Sequence, residues 1–207
     1  MKLKYQVSLF IIITLLIINS SIAASYSLWI VSRHQTGSNL ISAGCFHVAY
    51  NDVDSNNEST SISLQNTYPI TDDNGEKLKP YTVTITNTCS IDADYKLIIS
   101  ELNGNTLDKN YIRYKLSNSE GTYWGPSAFE NLSPYAMESS TKSSIESKPN
   151  GAATIKNSYL LASGILKPND TITYEFRMWV QESATNTIQD KEFNALVSMD
   201  AWATEAD

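Results

Sequence analysis

KPYTVTITNTCSIDADYKLIIS, residues 79–100, decides the fold of this 207-residue chain. From Tyr81 to Thr86, aromatic and β-branched residues alternate with threonines, which is the period of a strand with one buried face. The polar run at 87–94 then turns the chain, because Asn, Ser and Asp side chains hydrogen-bond to nearby backbone. A second apolar run, Tyr95–Ile99, follows. We therefore predict a pair of neighbouring strands with Cys89 near the bend.

Other short runs with the same period extend this pattern along the chain. Residues 40–50 read as the first strand of the domain, residues 171–180 alternate most clearly, and residues 193–203 close the domain. About seven to nine short strands without a strong amphipathic helix predict an all-β protein, a single jelly-roll-like or Ig-like antiparallel β-sandwich. The predicted core contains Val83, Ile85, Leu97, Tyr174, Phe176, Met178 and Val197.

The N-terminus has the pattern of an export segment. Two lysines precede the apolar run Val7–Ile18, and small residues follow it. This order predicts that residues 1–24 are a helical secretory signal, cleaved near Ala23 or Ala24. An uncleaved membrane anchor is the alternative, because Tyr26–Val31 is apolar again and lengthens the run. Either way we expect an exported chain, extracellular or at the cell surface.

The composition limits the number of hydrophobic cores and the kinds of partner that we expect for the exported part. About 180 residues remain after residue 24, which is enough for one good core. Removing residues 1–25 lowers the basic residues from 15 to 13 and leaves 22 acids, so the net charge is −9. A net-acidic chain without basic clusters argues against nucleic acid as a partner.

Three segments organise the predicted domains. Residues 25–39 are an apolar N-terminal piece followed by a polar linker from Ser32 to Ser38, and residues 40–207 are the sandwich domain. Asp73-Asn74-Gly75 predicts a tight turn. At 117–157 the periodicity fades among Ser, Gly and Pro, which predicts a long loop-rich excursion of the kind that often carries binding.

Cys45 and Cys89 are the two cysteines of the sequence and lie 44 positions apart. Because an exported chain meets an oxidising environment, we predict a disulfide between them. Closing a loop of that length stabilises the fold by about 4 kcal/mol in the chain-entropy treatment. Two unpaired buried thiols are the alternative.

Four segments carry a family resemblance: ASYSLWI (24–30), NLISAG (39–44), KPYTVTITN (79–87) and GILKPNDTITY (164–174). They resemble segments of the TasA/camelysin family of exported bacterial proteins. Cys45 stands where the family has a small polar residue, and 117–157 has no counterpart. The resemblance implies a jelly-roll-like sandwich of the cell surface or biofilm matrix, processed by a dedicated signal peptidase. Some family members form fibres by strand exchange, and camelysin carries a metallopeptidase label.

The residues do not supply a catalytic constellation. A zinc peptidase needs several ligands and a base, commonly as His-Glu-x-x-His, whereas His34 and His47 have no Glu beside them. A nucleophile elbow of the G-x-S-x-G type is also missing. The Asp pairs at 72–73 and 92–94 fall in predicted turns, where Asp is favoured for backbone reasons. We therefore predict no enzyme activity and no catalytic residues.

One run looks like the start of a calcium loop. Asp52–Glu58 places carboxylate and amide oxygens at alternate positions. However, Asn57 replaces the glycine that the loop requires, and Ser63 occupies the position of the bidentate glutamate. A solvated acidic loop is the better interpretation, so we predict no metal site and no cofactor.

Four aromatic residues form a candidate ligand platform: Tyr123, Trp124, Trp179 and Trp202. Trp179 and Trp202 lie out of phase with the apolar series of their strands, and exposed ring faces stack on sugars. Packing at an edge strand or in a second layer is the alternative. A carbohydrate-binding or adhesive surface domain, with glycans as partners, is accordingly our second functional hypothesis.

The leading hypothesis is a non-enzymatic structural protein of the cell surface or extracellular matrix. Its predicted assembly strand consists of Tyr26, Leu28, Trp29, Ile30 and Val31. Such an apolar segment is costly to leave in water, and adding it to an open sheet edge pairs its backbone and buries alternate side chains. Folding back onto its own domain and retention in a membrane are the alternatives. The expected partners are copies of this chain or other surface and matrix proteins, besides signal peptidase.

Overall fold

The computed structural model describes residues 31–34, 41–43, 46–51, 62–65, 67–146, 154–184 and 188–203. These residues are mostly β-structure. The described strands are β1 (Val31–His34), β2 (Ile41–Ala43), β3 (Phe46–Asn51), β4 (Ile62–Gln65), β5 (Tyr81–Asn87), β6 (Ala93–Leu102), β7 (Ile112–Asn118), β8 (Tyr123–Ala128), β9 (Ile155–Leu166), β10 (Thr171–Val180) and β11 (Glu192–Ala203). Two short helices accompany them, α1 (Asp72–Gly75) and α2 (Ser139–Glu146).

The described strands form two antiparallel sheets. Sheet A has the order β1-β11-β6-β9, and β4 also pairs with β11. Sheet B has the order β2-β3-β5-β10-β7-β8. This confirms the predicted β-rich class with antiparallel pairing. The predicted signal helix at residues 1–24 lies outside the described residues, and within them no helix is long and apolar enough to cross a membrane.

The larger of two hydrophobic clusters among the described residues lies between the inner faces of the two sheets. In β5 and β10, alternate residues are buried, as the period of two predicts. The seven predicted core residues all belong to this core: Val83, Ile85, Leu97, Tyr174, Phe176, Met178 and Val197. The hydroxyls of Tyr95 in sheet A and Tyr174 in sheet B hydrogen-bond at 2.7 Å across it.

The predicted pairing of the two strands in residues 79–100 is wrong. β5 pairs with β3 and β10 in sheet B, whereas β6 pairs with β11 and β9 in sheet A. The polar residues at 88–92 therefore carry the chain from one sheet to the other. The alternating pattern is the same for a hairpin and for this crossover, because it fixes which face is buried and not which strand lies alongside.

Two other local predictions need correction. Residues 40–50 are not one strand but an antiparallel pair, β2 and β3, in which Ala43 faces Phe46. Ser32–His34, predicted to lie in a linker, belong to β1. Hydrogen bonding to β11 explains this, because a polar sequence can occupy a strand when a partner edge satisfies its backbone.

The predicted turn at Asp73–Gly75 is a short helix, α1, and the hydroxyl of Thr71 accepts a 3.4 Å hydrogen bond from the Asn74 amide at its start. Gly75 is required there for close packing. A Cβ on Gly75 would lie 2.2 Å from Cδ2 of Trp179, so the indole of β10 occupies the space of a side chain. The requirement for glycine at position 75 therefore comes from contact with β10, a strand distant in sequence.

Much of the predicted excursion at 117–157 has regular structure. β7 continues to Asn118, and β8 follows it at the edge of sheet B. The sequence did not predict β8, because this strand contains Gly125 and Pro126. Pro is tolerated in strands chiefly at the edges of sheets. A 3₁₀ helix and α2 follow, and residues 147–153 lie outside the described part of the chain.

Candidate functional site

The edge of sheet A at β11 is shared by two short strands. β4 covers the first part of β11, pairing Ile62 with Ala195. β1 covers the later part, from His34 opposite Ser198 to Val31 opposite Ala201. Without β1, the outer backbone edge of β11 from 198 to 201 would be unpaired, which is the geometry that accepts an added strand. We call residues 198–201 of β11 the acceptor edge.

The predicted assembly strand is described only at its end. Val31 is the first residue of β1, and its backbone pairs with the acceptor edge of the same chain. Tyr26, Leu28, Trp29 and Ile30 lie outside the described residues. α2 packs against both β1 and β11 and therefore supports the pairing of β1 with the acceptor edge.

Asn87 holds the crossover between the two sheets. Its side chain is fully buried, its Nδ2 donates to the carbonyl oxygens of Ile91 at 2.9 Å and Leu166 at 2.8 Å, and its Oδ1 accepts from the Cys89 amide at 2.9 Å. The amide thereby joins the end of β5, the crossover and the end of β9. The sequence predicts Asn87 only as a turn residue.

Cys89 is buried and disulfide-bonded. Cys45 lies outside the described residues, so the Cys45–Cys89 pairing stays a prediction. The neighbouring register agrees with it, because Phe46 lies opposite Asn87 in the β3–β5 pair. That register brings the chain next to Cys45 to the end of β5, where the crossover carrying Cys89 begins.

The structure does not bring the four predicted aromatic residues together. Tyr123 and Trp124 lie on β8 in sheet B and are 71% and 38% exposed. Trp202 lies on β11 in sheet A, with the Lys96 ammonium 5.4 Å from its ring centroid. Trp179 is only 2% exposed. A single platform of four rings is therefore wrong, and the two residues of β8 are the exposed pair.

Trp179 is buried because α1 covers the outer face of sheet B. Its Nε1 donates to Oδ1 of Asp72 at 3.2 Å, and the ring packs under Gly75. Arg113 holds the same carboxylate with two hydrogen bonds, of 3.2 and 2.7 Å. Trp179, which is out of phase with the apolar residues of β10, thus packs in a second layer on the outer face of sheet B. Second-layer packing is the alternative given above for this residue.

An open groove lies beside the first half of β9. It has a volume of about 730 Å³, and an adjoining cavity of about 320 Å³ shares part of its wall. Three lysines reach this region from different segments: Lys109 from a 3₁₀ helix (Lys109–Tyr111) that precedes β7, Lys142 from α2 and Lys156 from β9. We call this region the lysine groove.

A buried carboxylate organises the lysine groove. The side chain of Glu101 is 5% exposed and accepts hydrogen bonds from Lys156 Nζ at 2.9 Å and Asn157 Nδ2 at 2.9 Å. The Tyr159 hydroxyl lies 3.4 Å from the same carboxylate and accepts from Lys109 Nζ at 3.0 Å. That hydrogen bond raises the pKa of Lys109, with Glu101 contributing, so its ammonium stays charged at neutral pH.

A second buried carboxylate fixes the other wall of the groove. Asp200 is fully buried and accepts from the Tyr135 hydroxyl at 3.1 Å, from the Glu138 amide at 3.2 Å and from the Thr141 hydroxyl. It therefore satisfies donors at the start of α2, where negative charge is favoured. Burial, together with Asp200, raises the pKa of Tyr135, so this phenol stays a proton donor.

The predicted absence of catalytic and metal residues stays a prediction. Among the described residues, no group of three or more His, Cys, Asp and Glu side chains is placed to hold a metal ion. His34 and His47 lie on different sheets, in β1 and β3. The calcium-like run Asp52–Glu58 lies outside the described residues.

No family model matches the chain, and no curated protein matches it. The resemblance to the TasA/camelysin family therefore stays a prediction. Among solved structures, the chain is similar to AvmM, which catalyses macrocyclization in alchivemycin A biosynthesis. The identity is 13%, the match covers 66% of this chain and 74% of that chain, and the TM-score is 0.32. A likeness this distant carries no argument about function.

Proposed function

We propose that this chain is a non-enzymatic, exported structural protein of the bacterial cell surface or biofilm matrix, and that it assembles into fibres by strand exchange. The observation that carries the proposal is the acceptor edge of sheet A. It is completed by β1, which begins at Val31, the last residue of the predicted assembly strand, and pairs through four residues. The source and the compartment rest on the export pattern and the family resemblance.

Exchange at this edge would cost little free energy. A β1 strand from a second copy makes the same backbone pairs with β11 as the strand of the same chain, so the enthalpy of pairing nearly cancels. A head-to-tail contact of this kind does not close on itself and propagates as a filament. The apolar residues from Tyr26 to Ile30 would extend the added strand beyond Val31.

The strand order supports a jelly roll over an Ig-like fold as the finer description. β4-β11-β6-β9 and β5-β10-β7-β8 are the two four-stranded layers that result when eight consecutive strands wind as two Greek keys. β1 adds to the first layer, and β2 and β3 add to the second. A signal helix at residues 1–24 and a Cys45–Cys89 disulfide complete the proposed architecture.

Deleting residues 25–31 tests the assembly mechanism. We expect a folded monomer by circular dichroism and light scattering, and loss of the filaments that the full chain forms under negative stain. Because Ser32–His34 still cover most of the acceptor edge in this variant, a second chain truncated through residue 34 exposes the edge fully. It should bind a synthetic peptide of residues 25–34 and should not bind a scrambled peptide. An unfolded truncated chain would assign the segment to its own core, and a truncated chain that still polymerises would place the contact elsewhere.

The second candidate function is carbohydrate binding by the exposed aromatic pair on β8. Tyr123 and Trp124 are adjacent residues of an edge strand, and side chains that alternate along a strand present rings to both faces. Trp124 packs its ring 6.5 Å from that of Tyr174, whereas Tyr123 lies beside Lys115. Persistent monomers together with glycan binding that Trp124→Ala removes would favour this function over assembly.

A further inference from the structure

We propose that the lysine groove binds a chain of acidic sugars, recognising the carboxylates of a uronic-acid oligosaccharide. This site lies away from the aromatic pair on β8, and it adjoins the acceptor edge through α2 and Asp200, which hold one wall of the groove. Neither the sequence patterns nor the family resemblance pointed to it, because its lysines come from distant parts of the chain.

The lysine groove carries more basic than acidic residues, unlike the chain as a whole. The chain has a formal net charge of −7, whereas three lysines and two acidic residues, Glu101 and Asp108, line the groove and its adjoining cavity. Lys142 is exposed and forms no ion pair with another described residue. Lys109 hydrogen-bonds to the Tyr159 hydroxyl, and its neighbour Asp108 lines the smaller cavity. A local cationic site on an acidic surface concentrates anions there.

The hydrogen-bond donors of the groove are oriented before any ligand arrives. The Glu101 carboxylate holds Lys156 and Asn157, and the bond between Lys109 and Tyr159 fixes a second ammonium. Holding donors in place lowers the conformational entropy lost on binding. Ammonium and amide donors set side by side suit a ligand that presents carboxylates and hydroxyls in turn.

The walls favour a sugar chain over an acidic peptide. A peptide commonly binds such a protein by adding a strand to a sheet edge. Here the edge of β9 is already occupied, because the Tyr135 amide donates to the Ser158 carbonyl at 2.8 Å and the Leu160 amide donates to the Ser133 carbonyl at 3.0 Å. Met137 and Ile155 add apolar surface to this wall, on which the CH faces of sugar rings can pack.

The shape of the groove suits a linear ligand. The larger cavity and the adjoining one share Lys109, Lys156 and Asn157, so an extended chain can pass from one to the other along the same donors. The larger volume, about 730 Å³, is within the range of roughly 300–1,000 Å³ that is usual for ligand sites.

Calorimetric titration of the full chain with a galacturonate oligosaccharide tests the proposal. A neutral malto-oligosaccharide and a glutamate oligopeptide of equal charge form the other two arms. We expect Lys142→Ala to weaken galacturonate binding about tenfold, the usual effect of removing one hydrogen bond to a charged group. Lys109→Gln, which keeps a donor for Tyr159, should act similarly. The control Lys167→Ala removes an exposed lysine from the turn between β9 and β10 and should change nothing.

Raising NaCl from about 0.1 to 1 M should also weaken binding, because the Debye length falls from about 10 to 3 Å. The proposal is overturned if no oligosaccharide binds, if binding is insensitive to the two groove variants, or if the neutral sugar binds equally well. Tighter binding of the glutamate oligopeptide would identify an acidic peptide as the ligand and reject the sugar assignment. Circular dichroism of each variant confirms that the fold is retained.

Discussion

Removing the buried amide of Asn87 should destabilise the whole protein, because this one side chain joins three segments. Asn87→Ala deletes three hydrogen bonds, to the Ile91 carbonyl, the Leu166 carbonyl and the Cys89 amide. Ile91 is 42% exposed, so water can replace the bond to its carbonyl, whereas Leu166 and Cys89 are buried. Each buried group left unpaired costs about 1–3 kcal/mol. We therefore expect a loss of about 3–5 kcal/mol in the free energy of unfolding.

Urea denaturation of the oxidised protein, followed by tryptophan fluorescence, measures this loss. Asn131→Ala is a matched control, because Asn131 is exposed and its amide makes one long bond of 3.4 Å to the Ser127 hydroxyl. A change below about 1 kcal/mol for Asn87→Ala would refute the reasoning, since it would lie within the range of one ordinary hydrogen bond.

Replacing Asn87 by Asp separates the loss of the amide donor from the loss of volume. The new carboxylate keeps an acceptor for Cys89 but faces the carbonyl oxygen of Leu166 in a buried site. Its folded-state pKa should therefore rise above the usual value of about 3.9. A raised pKa contributes stability below the unfolded pKa that is lost as the pH rises through the folded pKa. The deficit relative to Asn87 should be larger at pH 7 than near pH 4, and a pH-independent deficit would contradict this explanation.

Three further predictions concern core packing at Phe176, the contact of Gly75 with Trp179, and the disulfide. Phe176→Ala should cost about 3–5 kcal/mol of unfolding free energy in urea titrations, because its ring is 2% exposed; an unchanged midpoint would place the ring at the surface. Gly75→Ala should cost about 1–3 kcal/mol through overpacking against Trp179. Gly104→Ala has open space around the new Cβ and should cost less, chiefly through its φ of 92°; equal losses would argue against the clash. Thiol counting on denatured, unreduced protein should find no free cysteine, and two thiols per chain would reject the predicted disulfide.

The sequence predicted those features that depend on local period. Alternation in β5, β10 and β11 identified the buried face of each strand, and the seven predicted core residues are buried. The pattern did not determine the partners of β5 and β6, because both a hairpin and a crossover leave the same side chains on the inner face. Asn87 distinguishes the two through contacts with a strand about eighty residues away, which no local pattern contains.

The candidate sites were harder to predict because their residues meet only in three dimensions. Trp179 is covered by α1, whose Asp72 is 107 residues away in sequence. The lysine groove depends on Glu101 accepting bonds from Lys156 and Asn157 of the neighbouring strand. The one available signal was Glu101, which is in phase with the apolar residues Leu97 and Ile99 of β6. An acidic residue on an inner face needs buried partners.

The acceptor edge lies on β11, whereas the lysine groove lies beside β9, two strands further across sheet A. α2 connects the two sites, because it packs against β1 and carries Lys142. The two proposals can therefore be tested together. In the order β1-β11-β6-β9, a strand added at β11 leaves the groove beside β9 uncovered. Each subunit of a fibre would then present one groove, and a long uronate polymer would meet repeated sites at high effective concentration. Assembly should therefore tighten binding of the polymer by about 10²-fold or more while leaving a short oligosaccharide unaffected. Loss of oligosaccharide binding on assembly would mean that the two surfaces overlap, and unchanged polymer affinity would mean that neighbouring grooves cannot be bridged.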